Sequence, residues 1–308
     1  MPEAVWTYLK GVAMGLGDSV PGVSGGTIAV ITNIYDRLIY AIRNIDLQGC
    51  RLVLSGRLAD AWRHIDGSFL LLLALGMFSG LIVSANTVLY LLDNQFTLLM
   101  AFFIGLVLAS CWLLRDQYRA RAWQNLAAMV AGALLVMAVA ELRPLQQIDS
   151  LPYLFISGMI AISAMLLPGL SGAFILLLLG SYEAMLRALL AFDLLVLAVF
   201  MAGCVVGILA SSRAIAWLLQ HFHQCSYAGI TGMLLGSLLV LWPWQIAVEE
   251  FIDGSTEPMI VDRILIAPWN YAGRSGEESS WLLSVLLCIG GALLVFGIHA
   301  LSGDRNRS

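Results

Sequence analysis

Gly17-Asp18-Ser19-Val20-Pro21-Gly22-Val23-Ser24-Gly25-Gly26-Thr27 interrupts one long apolar stretch, residues 5–42, and Leu167-Pro168-Gly169-Leu170-Ser171-Gly172 interrupts another, residues 151–190. Proline in a helix interior removes a hydrogen bond and clashes with the preceding turn, and the glycines beside it permit a sharp reversal. Each arm is short. Residues 5–18 as a helix reach roughly 21 Å, less than the ~30 Å hydrocarbon core of a bilayer. Both stretches are therefore predicted to be re-entrant helical hairpins. Non-helical backbone at that depth is tolerated only where it is buried in protein or faces a wet cavity.

The surrounding chain sets the environment. Its 308 residues are 60% hydrophobic and 12% charged, against about 25% charged in an average soluble domain, and the mean hydropathy is +0.88. No soluble core of this size could bury so much apolar sequence. That excludes a soluble enzyme, a disordered chain and a nucleic-acid binder. The 29 glycines and 8 prolines fit a helical membrane fold. Cys50, Cys111, Cys204, Cys225 and Cys288 are scattered without metal-ligand spacing, so neither a metal nor a cofactor is expected. His221 and His223 read as a wet helix end. The start, Met1 to Trp6, lacks a basic region and a small-residue cleavage site, so no secretory signal is expected there.

Six unbroken spans are predicted at 68–92, 97–114, 123–141, 194–219, 227–242 and 281–301. Walking through them puts the 43–67 loop (Arg43, Arg51, Arg57, Arg63), the 115–122 loop (Arg115, Arg119, Arg121) and the C-terminus (Arg305, Arg307) on one side with Lys10. The 243–280 loop, rich in Glu and Asp, falls on the other side. The positive-inside rule makes the Arg-rich side and both termini cytoplasmic. Within the 43–67 loop, Leu54, Leu58, Ala61, Trp62 and Ile65 recur at helical spacing, which predicts one amphipathic helix over about 50–65.

The chain repeats itself. Pro21, Gly22, Ser24, Gly25, Ile28, Tyr35 and Gly11 each precede a like residue by 147 positions: Pro168, Gly169, Ser171, Gly172, Ile175, Tyr182 and Gly158. Asp36 aligns with Glu183 at the same offset. Gly76, Gly80, Ser84, Gly105 and Ser110 align with Gly203, Gly207, Ser211, Gly232 and Ser237 at an offset of 127, because the 43–67 loop has no counterpart. The prediction is an all-α integral membrane protein. It has one membrane domain, made of residues 1–122 and 123–308. Repeat 1 covers about 5–141 and repeat 2 about 151–301, each with one re-entrant hairpin and three spans. An odd number of spans inverts the second copy, an architecture of secondary transporters.

After each break the chain restarts as a helix, whose first N–H groups and positive dipole end favour an anion. Ser19, Gly22, Ser24, Gly25, Gly26 and Thr27 from one tip, with Gly169, Ser171 and Gly172 from the other, form the expected phosphate cradle. Arg213, deep in the 194–219 span, is the expected guanidinium partner, unless it snorkels to the interface. Asp18, Asp36 and Glu183, with Arg37 and Arg187 beside the latter two, are candidates for coupling or gating. They are the groups that would carry a proton or sodium ion if transport is coupled.

These motifs, with Ile34-Tyr35-Asp36-Arg37-Leu38 and Gly180-Ser181-Tyr182-Glu183, resemble the paired signatures of bacterial polyprenyl-phosphate transporters over nearly the whole chain. The chain departs from that pattern at Asn33 (usually Gly), Asp36 (usually Glu) and Ala173 (usually Ser). The resemblance implies a lipid flippase, not an enzyme, in the bacterial cytoplasmic (inner) membrane. It would return undecaprenyl phosphate to the cytoplasmic leaflet for cell-envelope glycan synthesis. A secondary transporter or channel for a soluble anion is the alternative. A membrane-embedded phosphatase is a third reading, but the predicted membrane core offers no histidine.

Overall fold

A computed structural model describes residues 3–18, 24–119, 121–142, 150–250, 259–275 and 280–303. The chain runs as α1 (Glu3–Asp18), α2 (Gly25–Ile31), α3 (Tyr35–Arg43), α4 (Leu47–Leu54), α5 (Leu58–His64), α6 (Gly67–Asn94), α7 (Phe96–Leu114) and α8 (Trp123–Ala140). The second half has α9 (Leu151–Leu166), α10 (Gly172–Leu178), α11 (Tyr182–Leu190), α12 (Leu194–His221), α13 (His223–Val240), β1 (Gln245–Glu250), β2 (Met259–Leu265), α14 (Pro268–Ser275) and α15 (Trp281–Gly303). This is an α-helical membrane protein. Among the described residues, five helices are long and apolar enough to cross a bilayer: α6, α7, α8, α12 and α15. Their outward surface is hydrocarbon; α8 leaves Leu126, Val130 and Leu134 exposed along one face, at helical i, i+4 spacing.

Several expected boundaries change. The span expected at 227–242 is the helix α13, but its polar first turn (His223, Gln224, Ser226) keeps it out of the apolar set. It lies inside the bundle, with Tyr227, Ile230 and Leu234 buried. The amphipathic helix expected over 50–65 is two helices, α4 and α5. Gly56 adopts φ +72 between them, a left-handed turn that ends α4. Asp46 caps α4 by accepting the Gly49 N–H at 2.9 Å, and that bond, with His64, holds its carboxyl below the usual carboxylate range. The acidic 243–280 loop contains an antiparallel pair, β1–β2, with a bulge at Val248/Glu249.

The stretches after the two Pro-Gly breaks are themselves broken. α2 and α3 are separated at Thr32–Ile34, and α10 and α11 bend by 106° across Leu179–Ser181. The corner residues, Asn33 (φ +55) and Gly180 (φ +64), are both left-handed and sit 147 positions apart. Asn is among the few residues besides Gly that tolerate this conformation, which explains how Asn33 can take the corner that Gly180 takes in the second half.

Packing follows the same offsets. α1 lies along α6, and a side chain on Gly76 or Gly80 would overlap the carbonyls of Tyr8 or Val12. α9 lies along α12, where Gly203 and Gly207 meet the carbonyls of Phe155 and Met159 in the same way. The exchange pairs match too. α7 against α15 brings Gly105 onto Cys288 O and Gly291 onto Phe102 O, and α8 against α13 brings Gly232 onto Met129 O and Gly132 onto Gly229 O. The halves differ in depth. Every residue of α2 is buried, at the centre of a core with Met14, Ile39, Met100, Val107 and Leu234. In α10 only Ile175 and Leu178 are buried, and Phe174 is exposed.

Candidate functional site

The two tips touch. Ser24 has extended backbone (φ −125, ψ 158) and caps α2, its hydroxyl accepting the Thr27 N–H at 3.2 Å. Serine suits this place because its short side chain folds back onto the free N–H groups of the first turn. Across the interface, Thr27 Oγ1 accepts the Gly169 N–H at 2.9 Å, Ser24 Oγ donates to Leu167 O at 3.4 Å and Tyr35 Oη donates to Leu166 O at 3.1 Å. Three side chains from the first half thus satisfy the irregular backbone around Pro168 in the second. Gly169 holds φ +86 there, which a side chain would strain. Gly26 lets the two backbones close, since a Cβ on it would stand 3.0 Å from Met165 O. All three side chains are buried, Ser24 and Thr27 to within 1% of full burial.

A second N–H of the first turn of α2 is also occupied. Gly25 N–H donates to Asp18 Oδ1, while Asp18 Oδ2 is buried with no hydrogen-bond partner among the described residues. An internal carboxylate therefore sits where the dipole end of α2 invites an anion. At the other end of α2, Lys10 Nζ donates to Thr32 O at 2.8 Å, the favourable place for a cation. The second half is less furnished: Ser171 caps α10 without a side-chain hydrogen bond. Thr27's counterpart there is Phe174, which has no hydroxyl.

Of the expected cradle, the structure brings together Ser24, Gly25, Gly26, Thr27 and Gly169, with Asp18 beside them. A Cβ on Gly172 would stand 3.1 Å from Ala161 O. Ser19 and Gly22 lie outside the described residues. Arg213 is exposed and, among the described residues, is not bonded to either tip; it donates to Leu209 O at 2.6 Å and to Ile45 O at 2.8 Å, bracing α12 against the turn after α3. Asp36 and Glu183, aligned in sequence, part company in space. Asp36 accepts from Tyr227 Oη at 2.8 Å, linking α3 to α13, whereas Glu183 pairs with Arg187 of its own helix at 3.2 Å. Arg37 pairs with Glu3 and Asp66, both at 2.7 Å, and lies over the Phe69 ring.

Sequence reasoning missed three contributors. Tyr35 reads in the sequence only as a repeat marker, though its match to Tyr182 is the available signal. Lys10 is a lone ammonium within an apolar arm, which by itself marks a functional or capping role. Tyr227 carries no signal in the sequence.

A polyprenyl-phosphate transporter of Vibrio cholerae serotype O1 is 38% identical over 293 residues, 95% of each chain. A polyprenyl-phosphate transporter of Staphylococcus aureus is 31% identical over 292 residues, 86% of this chain and 98% of the relative. No solved structure matches the chain. The family described as VCA0040-like, undecaprenyl phosphate translocase-like, matches residues 14–259, and with the two full-length relatives this means that the chain belongs to that family.

Proposed function

We propose that the protein transports polyprenyl phosphate, and undecaprenyl phosphate in particular, across the bacterial cytoplasmic membrane, returning the carrier lipid to the cytoplasmic leaflet. The observation that supports this reading is the bond between the helix that follows the first break and the second Pro-Gly break, made by Thr27 and Gly169, 142 residues apart in the chain. In this reading the stretches before and after each tip are re-entrant hairpins of an inverted repeat. The packing offsets of 147 and 127 shared by both halves support it. The Arg-rich loops and both termini face the cytoplasm.

The headgroup binds where the two breaks meet, exchanging the contacts that Ser24, Thr27 and Gly169 make with one another and with Leu167 O for contacts to the phosphate, and drawing also on Gly25, Gly26, Ser171 and Gly172. Asp18 is the internal stand-in for the phosphate: its carboxylate holds the Gly25 N–H until the headgroup displaces it. The tail stays on the lipid side while the head crosses, so no chemical bond is made or broken.

The test is reconstitution of the purified protein in liposomes carrying polyprenyl phosphate, with the outer-leaflet phosphate followed over time. Protein-dependent loss of lipid phosphate from one leaflet, without uptake of inorganic phosphate, is expected. Uptake of inorganic phosphate with no lipid movement would instead support the soluble-anion transporter.

A further inference from the structure

α9 and α12 touch where Gly158, Gly203 and Gly207 let their backbones meet. Beside this seam lies an open cavity of about 350 Å³, lined by Met159, Ile160 and Ala164 of α9, by Leu167 just past its end and by Ala214 and Ile215 of α12. Two hydroxyls border it. Ser163 Oγ donates to Met159 O at 2.7 Å and Ser211 Oγ to Gly207 O at 2.7 Å. Both protons are used within the protein backbone, so the cavity offers hydrocarbon and no free donor. A phosphate finds nothing to bind there, and water, which needs two to four polar partners, has too few.

The position of the cavity identifies its occupant. Leu167 lines it, and the carbonyl of the same residue receives the Ser24 hydroxyl at 3.4 Å, two residues before Gly169. The cavity therefore begins where the two tips touch. A lipid phosphate with its head at the tips has its first chain carbons beside Leu167. We infer that the α9–α12 cavity seats the phosphate-proximal isoprene units of the polyprenyl chain, an inference that rests on the proposed headgroup site.

Within a bilayer, moving a chain from lipid to protein gains no hydrophobic free energy. The cavity therefore acts by shape, through close contact with a chain that carries a methyl branch on every unit. Ala164 and Ala214 leave the room those branches need. The aligned positions of the first half carry a different set: Leu16 for Ser163, Gly17 for Ala164 and Thr87 for Ala214. The cavity is thus a selectivity element for prenyl over straight alkyl chains.

The test measures binding of farnesyl phosphate, dodecyl phosphate and inorganic phosphate to the full chain in nanodiscs, for the wild type and Ala214→Phe. Ala214 is exposed at the cavity mouth, so the variant should fold. A second readout places a diazirine on the first isoprene unit and maps the labelled peptides. The wild type should prefer farnesyl over dodecyl phosphate by about tenfold, the discrimination a methyl group gives in a fitted apolar pocket. Ala214→Phe should abolish that preference without changing inorganic phosphate binding, and the label should fall on peptides containing Ile160 or Ile215. Equal binding of the two lipids by the wild type, or a preference that survives Ala214→Phe, would mean that ordinary acyl chains fill the cavity and would overturn the inference while leaving the headgroup site standing. Failure of all three ligands to bind the wild type would sink the headgroup site itself, and this inference with it.

Discussion

The hydroxyl of Thr27, in the first half of the chain, accepts the backbone N–H of Gly169 in the second at 2.9 Å. The bond is one-sided. The residue 147 positions after Thr27 is Phe174, which cannot return the contact to the first tip. A chain built from two like halves therefore joins them at its centre through an unlike pair.

Thr27→Val keeps the shape and removes the acceptor. It leaves a buried N–H unpaired, which costs about 1–3 kcal/mol. A lower melting temperature in nanodiscs and slower lipid transport are expected, with Thr27→Ser close to wild type. Wild-type melting and transport in the valine variant would show that this bond does not hold the tips.

Gly25→Ala would set a Cβ 2.8 Å from Asp18 Oδ2 and push the carboxylate off α2. Asp18→Asn keeps an oxygen for the Gly25 N–H but lowers the strength of that bond by about 1 kcal/mol, the difference between charged and neutral acceptors. With a weaker internal competitor, polyprenyl phosphate should bind Asp18→Asn about fivefold more tightly. Unchanged or weaker binding in a titration would remove Asp18 from the role of stand-in.

The aligned acids should respond unequally. Tyr227→Phe strips Asp36 of its donor in a half-buried place, costing about 1–3 kcal/mol. Glu183→Gln breaks only an exposed i, i+4 pair on α11, worth about 0.5 kcal/mol or less. Thermal unfolding of the two variants side by side checks the order, and equal shifts would contradict it.

Orientation is read by labelling intact cells with a membrane-impermeant thiol reagent. Asn270→Cys, exposed on α14, should react from outside, and Ser55→Cys, exposed between α4 and α5, should not. A Cys50→Ser background is needed because Cys50 is itself exposed. The reverse pattern would invert the proposed topology.

Gly76→Val and Gly203→Val occupy matching positions, and each would drive a side chain into a backbone carbonyl of the neighbouring helix. Both should sharply reduce the yield of folded protein, as overpacking against rigid backbone does. Near-normal yield of either variant would argue against the matched packing of the two halves.

Much of the fold was legible in the sequence because glycine and proline act locally. The Pro-Gly breaks, the 147 and 127 offsets and the long apolar helices α6, α7, α8, α12 and α15 all follow from residues read in place. The second corner of each half, at Asn33 and at Gly180, was missed because neither residue has a proline beside it, and a lone Asn or Gly marks a left-handed residue less sharply than Pro-Gly marks a break. The β1–β2 pair was missed because its acidic residues marked a loop, although Ile246, Val248, Ile260, Val261 and Ile264 supplied the β-branched content of strands.

The sequence by itself determined the lipid environment, the two breaks and their repetition, since these depend on hydropathy and on the backbone limits of single residues. Only the tertiary structure decided what the tips bond to. Thr27 could have faced a ligand, lipid or its own helix. It meets Gly169 because α2 is buried at the centre of the bundle, where every N–H must find a partner. Arg213 could have reached the tips but is bonded to Ile45 O, and Asp36 and Glu183, alike in sequence, have unlike partners. A side chain's type sets which bonds it can make, and the distance to partners more than 100 residues away sets which of them it does make.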